Sequence, residues 1–143
     1  MTTYSSRDEI SEQYRWDLTS IFENDEAFLE ALDKAKTYPE RFLTFQGRIS
    51  QSPEALLEYL QFDDEVSIEL SKLINYANRK ADEDTRSSLY QDYSSQVMSL
   101  YVSLSSACSW FASELLSVDE KTMAQFYNQC PDLELYRRAL DVI

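Results

Sequence analysis

Asp92-Tyr93-Ser94-Ser95-Gln96-Val97-Met98-Ser99-Leu100-Tyr101-Val102-Ser103-Leu104-Ser105-Ser106-Ala107-Cys108-Ser109-Trp110-Phe111-Ala112-Ser113-Glu114 is the stretch that decides the fold. Between its two acids lie 21 residues without a charge, eight of them serine. Apolar side chains recur at Tyr93, Val97, Leu100, Leu104, Ala107 and Phe111, in steps of four and three. That period is the seam of a packed helix rather than the alternation of a strand. The spacing predicts one long helix over residues 85–116. Nearly opposite the seam run Ser95, Ser99, Val102, Ser106, Ser109 and Ser113, small and uncharged. A surface helix normally carries Lys and Glu on its wet face, so this one is expected to lie centrally, with neighbours on both sides. A membrane span is rejected: serine is too frequent and flanking positive charges are missing.

Outward from this helix the chain repeats the same logic. Upstream, Asp82-Glu83-Asp84-Thr85 reads as a turn and cap. Before it, Ser52-Pro53-Glu54 opens a helix with proline in the first turn, where its missing N–H does little harm. Leu56, Leu57 and Leu60, then Phe62, Val66, Leu70, Leu73 and Ala77, continue one apolar face. Asp63-Asp64-Glu65 is either a short break in that helix or its wet side. Asn24 followed by Asp25 and Glu26 marks another helix start, a capping side chain and then acids at the positive end of the dipole. Phe28, Leu32, Ala35, Phe42 and Phe45 keep its period, with a break near Tyr38 because of Pro39. Gly47, the single glycine of the chain, suits the left-handed residue that ends a helix. Downstream, Ser117 and Glu120 have the capping-box spacing, and Pro131-Asp132 opens a last segment through Leu133, Tyr136, Leu140 and Ile143. No stretch alternates like a strand between turn signals. The expected fold class is all-α: an antiparallel helical hairpin or bundle lobe with long helices and no sheet. Residues 1–23 are expected to form an irregular arm pinned by the large apolar groups of Tyr14-Arg15-Trp16-Asp17-Leu18 and Ile21-Phe22. Residues 24–116 form the helical lobe, and residues 117–143 the first helices leading onward. Ending on Asp141-Val142-Ile143, the chain is expected to be cut from a larger protein.

Composition narrows the chemistry. With 143 residues, 43% of them hydrophobic, the chain can bury a core despite a net charge of −13. That charge excludes a phosphate-backbone binder and repels an anionic membrane surface, so neither nucleic acid nor membrane is an expected partner. The chain contains no histidine. It therefore has no HExxH helix, no Ser-His or Cys-His pair and no imidazole shuttle. A single glycine rules out a glycine-rich phosphate loop. Cys108 and Cys130 match no metal-ligand spacing and are expected to be reduced and packed, as in a cytoplasmic protein. The first 20 residues hold Arg7, Asp8, Glu9, Glu12, Arg15 and Asp17, leaving no room for an apolar leader core.

Other constellations dissolve on inspection. Asp82, Glu83 and Asp84 lack the spaced ligands and central glycine of a calcium loop. With 26 carboxylates, a pair at glycosidase separation carries no information. Tyr76, Tyr90, Tyr93 and Tyr101 are polar-tipped core aromatics by default. No catalytic, cofactor-binding or metal-ligating residue is assigned in this chain.

Five stretches together resemble one family. Trp16-Asp17-Leu18-Thr19-Ser20-Ile21-Phe22 with Asn24-Asp25-Glu26 resembles the opening of oligoendopeptidase F proteins. Phe45-Gln46-Gly47-Arg48-Ile49-Ser50 is similar to the turn after their first helix. Tyr76-Ala77-Asn78-Arg79-Lys80-Ala81-Asp82-Glu83-Asp84-Thr85-Arg86 is the most specific match, with Asn78 where some members carry histidine. Ser109-Trp110-Phe111-Ala112-Ser113-Glu114-Leu115-Leu116 and Leu135-Tyr136 complete the succession in order. The resemblance implies the N-terminal helical lobe of a zinc metallopeptidase that acts on short peptides. Its zinc and its HExxH glutamate would lie in a catalytic domain absent here, and the lobe itself would shape and gate the cavity without reacting. The implied partners are the protein's own C-terminal catalytic domain and, in the whole protein, short peptides. The implied location is cytoplasmic. The alternative is a free-standing acidic helical module that binds a partner protein.

Overall fold

The computed structural model describes Thr3 and residues 7–143. Residues 1, 2 and 4–6 of the expected arm lie outside the described residues. Seven α-helices follow the arm: α1 Asp25–Ala35, α2 Tyr38–Leu43, α3 Pro53–Glu83, α4 Ser88–Ala107, α5 Phe111–Leu116, α6 Glu120–Gln129 and α7 Arg137–Leu140. A 3-10 helix, Pro131–Tyr136, leads into α7. Among the described residues there is no strand, and the fold is all-α as expected.

The chain forms two compact units. The first takes residues up to Lys36 together with Ile68–Tyr101; the second takes Thr37–Ser67 and Val102–Ile143. Each of the long helices α3 and α4 therefore contributes one end to each unit.

In the first unit, α1 begins as its sequence dictates. The Asn24 side chain accepts the N–H of Ala27, and Asp25 and Glu26 occupy the first turn. Phe28, wholly buried, stacks on Tyr76 with centroids 5.1 Å apart and tilts against Tyr93 at the same distance. Phe22 meets both Phe28 and Tyr76 edge-on. The arm is pinned by Leu18, which is buried, and by Phe22, whereas Tyr14 is open and Trp16, 53% exposed, lies under the Arg79 guanidinium.

In the second unit, α2 packs Phe42 on Phe62, and Tyr59 stacks flat on Phe111 at 4.3 Å. Arg41 sits 4.0 Å above the Phe62 ring. Leu133 and Leu140 are buried, so the last segment is held down by its own unit more firmly than its position in the sequence suggests. Leu135, at 85%, and the last three residues are open, and Tyr136 donates a 2.7 Å hydrogen bond to Asp64.

Several sequence expectations meet a physical correction. The acidic triplet Asp63-Asp64-Glu65 lies inside the unbroken α3, so the break is ruled out; Asp64 and Glu65 are on its wet side, while Asp63 is half-buried. The helix predicted over residues 85–116 starts later and divides. Its cap is Ser87, whose hydroxyl accepts the Tyr90 N–H, while Asp84 is used by the preceding turn through the Arg86 N–H. At the far end the backbone tightens: Ser109 N–H bonds Ser106 C=O and Phe111 N–H bonds Cys108 C=O, both three residues back. The Ser109 hydroxyl also donates to the Ser106 carbonyl, the serine back-bonding that competes with helix continuation. The capping box expected at Ser117 is displaced to Asp119, which accepts the Thr122 N–H, because the Ser117 hydroxyl is engaged by the Glu114 carbonyl. Finally, the serine face of α4 is not covered by this chain. Ser95, Ser99, Val102, Ser106, Ser109 and Ser113 are all exposed, Val102 at 60%.

Candidate functional site

The stretches that carry the family resemblance are brought together in pairs. In the first unit, the opening stretch meets the block that begins at Tyr76. The Tyr76 hydroxyl donates to one carboxylate oxygen of Asp25 and the Tyr90 hydroxyl donates to the other, at 3.2 Å. Arg79 covers Trp16, and the Lys80 ammonium lies 5.5 Å from the rings of both Tyr76 and Tyr90. In the second unit, the turn after α2 meets α5. The Glu114 carboxylate accepts the Gly47 N–H at 2.8 Å and, through its other oxygen, the Ser50 hydroxyl at 2.9 Å and the Ser50 N–H at 3.4 Å. Gly47 has φ +82°, the left-handed conformation that turns its N–H toward the acid. These are staples between segments, and their polar atoms are consumed in holding backbone and side chains together.

The titratable groups are set for structure rather than reaction. Burial, with the hydrogen bond to Asp25 behind it, pushes the Tyr76 phenol far above its ordinary value. Burial raises Tyr59 likewise. Burial also raises the Cys108 thiol, so it is a poor nucleophile near neutral pH. Asp63 is raised by burial and then by its neighbour Asp64. Both cysteines are free and half-buried. Among the described residues, no three His, Cys, Asp or Glu side chains stand close enough to hold a metal ion. No helix among them is long and apolar enough to cross a membrane.

Each unit carries a sizeable concavity among its described residues. One, of about 570 Å³, lies in the first unit between the arm, the start of α1 and α3, and includes Trp16, Phe22, Asp25, Tyr76 and Lys80. The polar groups of its tyrosine–aspartate pair are already bonded. The other, of about 740 Å³, lies in the second unit along α5, α6 and α7. Leu116, Met123 and Leu140 give it an apolar wall, with Asp119, Glu120 and Asp141 at its edge. Tyr127 lines it, yet the Tyr127 hydroxyl is buried without a hydrogen-bond partner among the described residues. Such an orphaned group costs about 1–3 kcal/mol. The Arg137 guanidinium lies 4.6 Å over the same ring. Sequence reasoning assigned Glu114, Asp25 and Tyr127 to no site. Glu114 had a signal: it is the only charge between Asp92 and Asp119.

No family model matches the chain. Among curated proteins it is similar to Oligopeptidase PepF of Bacillus subtilis strain 168, 31% identical over 137 residues, which is 96% of this chain and 20% of that protein. It is also similar to Group B oligopeptidase PepB of Streptococcus agalactiae, at 33% identity over 92% of this chain and 22% of the relative. Among solved structures, a putative peptidase from Chlamydophila abortus superimposes with a TM-score of 0.81 at 27% identity, covering 95% of this chain and 23% of that one. Oligoendopeptidase-F from Enterococcus faecium gives a TM-score of 0.71 at 26% identity, over 82% of this chain and 23% of its own. The fold is thus an all-α one shared with proteins named as peptidases. Over nearly all its length, this chain is a homologue of the oligoendopeptidase F family, and it spans about a fifth of the length of the curated relatives it matches.

Proposed function

We propose that this chain is the N-terminal helical lobe of a zinc-dependent oligopeptidase, shaping and gating the cavity that admits short peptides while taking no chemical part in their hydrolysis. The observation that carries this reading is the match to oligopeptidases over 92–96% of the chain, reinforced by a shared fold. The spatial pairing of the matched stretches supports it further: Asp25 with Tyr76, and Glu114 with Gly47, are interactions that shape a scaffold. The residues present do not fit a zinc ion. The chain has no histidine, and a buried thiol of raised pKa is not a ready ligand. Zinc therefore belongs, in this reading, to the catalytic domain that the family adds, and no step is assigned to it here. The partners are that domain and, through the whole protein, unstructured oligopeptides; the compartment is the cytoplasm.

The test is a hybrid in which this chain replaces the stretch it matches in Bacillus subtilis PepF. The hybrid should cleave a quenched oligopeptide, and the isolated chain with added zinc should not. A folded hybrid without activity, or chelator-sensitive cleavage by the isolated chain above a mock purification, would overturn the reading.

A further inference from the structure

We propose that the groove along α5, α6 and α7 is the docking surface for the rest of an oligopeptidase polypeptide, the four fifths or so that accompany the matched stretch in the curated relatives. This rests on the function proposed above and assigns the partner domain to one face of the lobe. Three features of the groove specify what it receives. Leu116 is 68% exposed beside the buried Leu115, an apolar side chain left in water at the mouth of a cavity large enough to seat another. The Tyr127 hydroxyl is buried without a hydrogen-bond partner among the described residues, and Tyr127 is one of the residues that line the groove. Arg137, about half exposed and paired with Glu134 at 2.8 Å, lies over the Tyr127 ring and lines the groove with it. The acids Asp119, Glu120 and Asp141 outnumber this one arginine at the edge. The complementary surface therefore brings an apolar anchor to Leu116, a hydrogen-bonding group to Tyr127 and basic side chains to the acids.

A second copy of this chain is the poorer occupant. Each copy carries a net charge of −13, and pairing two such grooves would set acid against acid. A domain on the same polypeptide also benefits from a high effective concentration, so a groove of this modest size suffices.

Hydroxyl-radical footprinting of the free chain and of the hybrid with Bacillus subtilis PepF tests the proposal. Oxidation of Leu116 and Met123 should slow several-fold in the hybrid. Leu116→Lys should lower the unfolding temperature of the hybrid while leaving that of the free chain unchanged. A hybrid that cleaves the quenched oligopeptide but leaves both residues oxidised as fast as in the free chain would overturn the docking site and leave the family reading standing. Protection in the free chain that grows with its concentration would overturn it in favour of a second copy. A hybrid that fails to fold, when PepF prepared alongside it folds, removes the proposed function and this proposal with it.

Discussion

The Glu114 carboxylate accepts the backbone N–H of Gly47 at 2.8 Å across 67 residues of chain. Its second oxygen takes the Ser50 hydroxyl and N–H. The single charge of an otherwise neutral stretch is thus placed where it caps the donors of a turn, and it locks α5 to the end of the α2 region.

Removing that acid should leave three donors without their acceptor. Glu114→Ala is expected to cost about 1.5–3 kcal/mol, the range for hydrogen bonds to a charged group. Glu114→Gln should recover only part, because its amide presents one acceptor and one donor to a turn that offers donors alone. Urea denaturation of the three proteins checks this; an unchanged midpoint in Glu114→Ala would show that the turn holds itself.

Gly47 is required for its backbone and not for space. A Cβ built there would have no atom within 4 Å, yet φ is +82°. Gly47→Ala should therefore destabilise by about 1–2 kcal/mol through conformation alone. Gly47→Asn should be milder, since asparagine tolerates the left-handed region. Equal losses for both, measured by thermal unfolding, would point to a steric cause instead.

The two faces of α4 should respond oppositely. Leu104 is 6% exposed, and Leu104→Ala is expected to cost ~2–5 kcal/mol. Ser106 is exposed, so Ser106→Arg should stay within about 0.5 kcal/mol of the parent in this chain. A large loss from Ser106→Arg would mean that the serine face is covered, as its sequence first suggested.

Alkali should unfold the protein through its tyrosines. Tyr136 is pushed up to about 12, first by its hydrogen bond to Asp64 and then by burial, and Tyr59 and Tyr76 are raised chiefly by burial. A phenol whose folded pKa exceeds its unfolded value, about 10, stabilises fully below that pH, and the contribution is lost as pH climbs through the folded values. The urea midpoint should thus hold to about pH 10 and fall above it. Tyr136→Phe should lower the midpoint slightly at pH 8, by less than about 1 kcal/mol because the bond is exposed, and soften the alkaline decline. A midpoint independent of pH from 8 to 12 would contradict this.

The helical class was legible because one face of each long segment repeats at three and four: Tyr93, Val97, Leu100 and Leu104 are all buried. Asn24 and Gly47 were legible because a cap and a left-handed turn each demand a residue type. The break after Ala107 was not, because it depends on the Ser109 hydroxyl choosing the Ser106 carbonyl, a rotamer choice that no periodicity encodes. The site was illegible for a similar reason. Asp25 looked like any acid at a helix start, and its two tyrosine partners lie 51 and 65 residues away. The open serine face of α4 misled in the other direction, since lack of charge implies a neighbour without saying whether this chain supplies it.

The central claim is that these residues are the unreactive helical lobe of a peptidase whose chemistry lies elsewhere on the same polypeptide. Reading the transcript beyond the Ile143 codon tests it most directly. The account predicts that the frame continues and encodes HExxH with a further glutamate downstream. A stop codon at that point, with no peptidase frame after it, would contradict the account and leave an acidic helical module standing on its own.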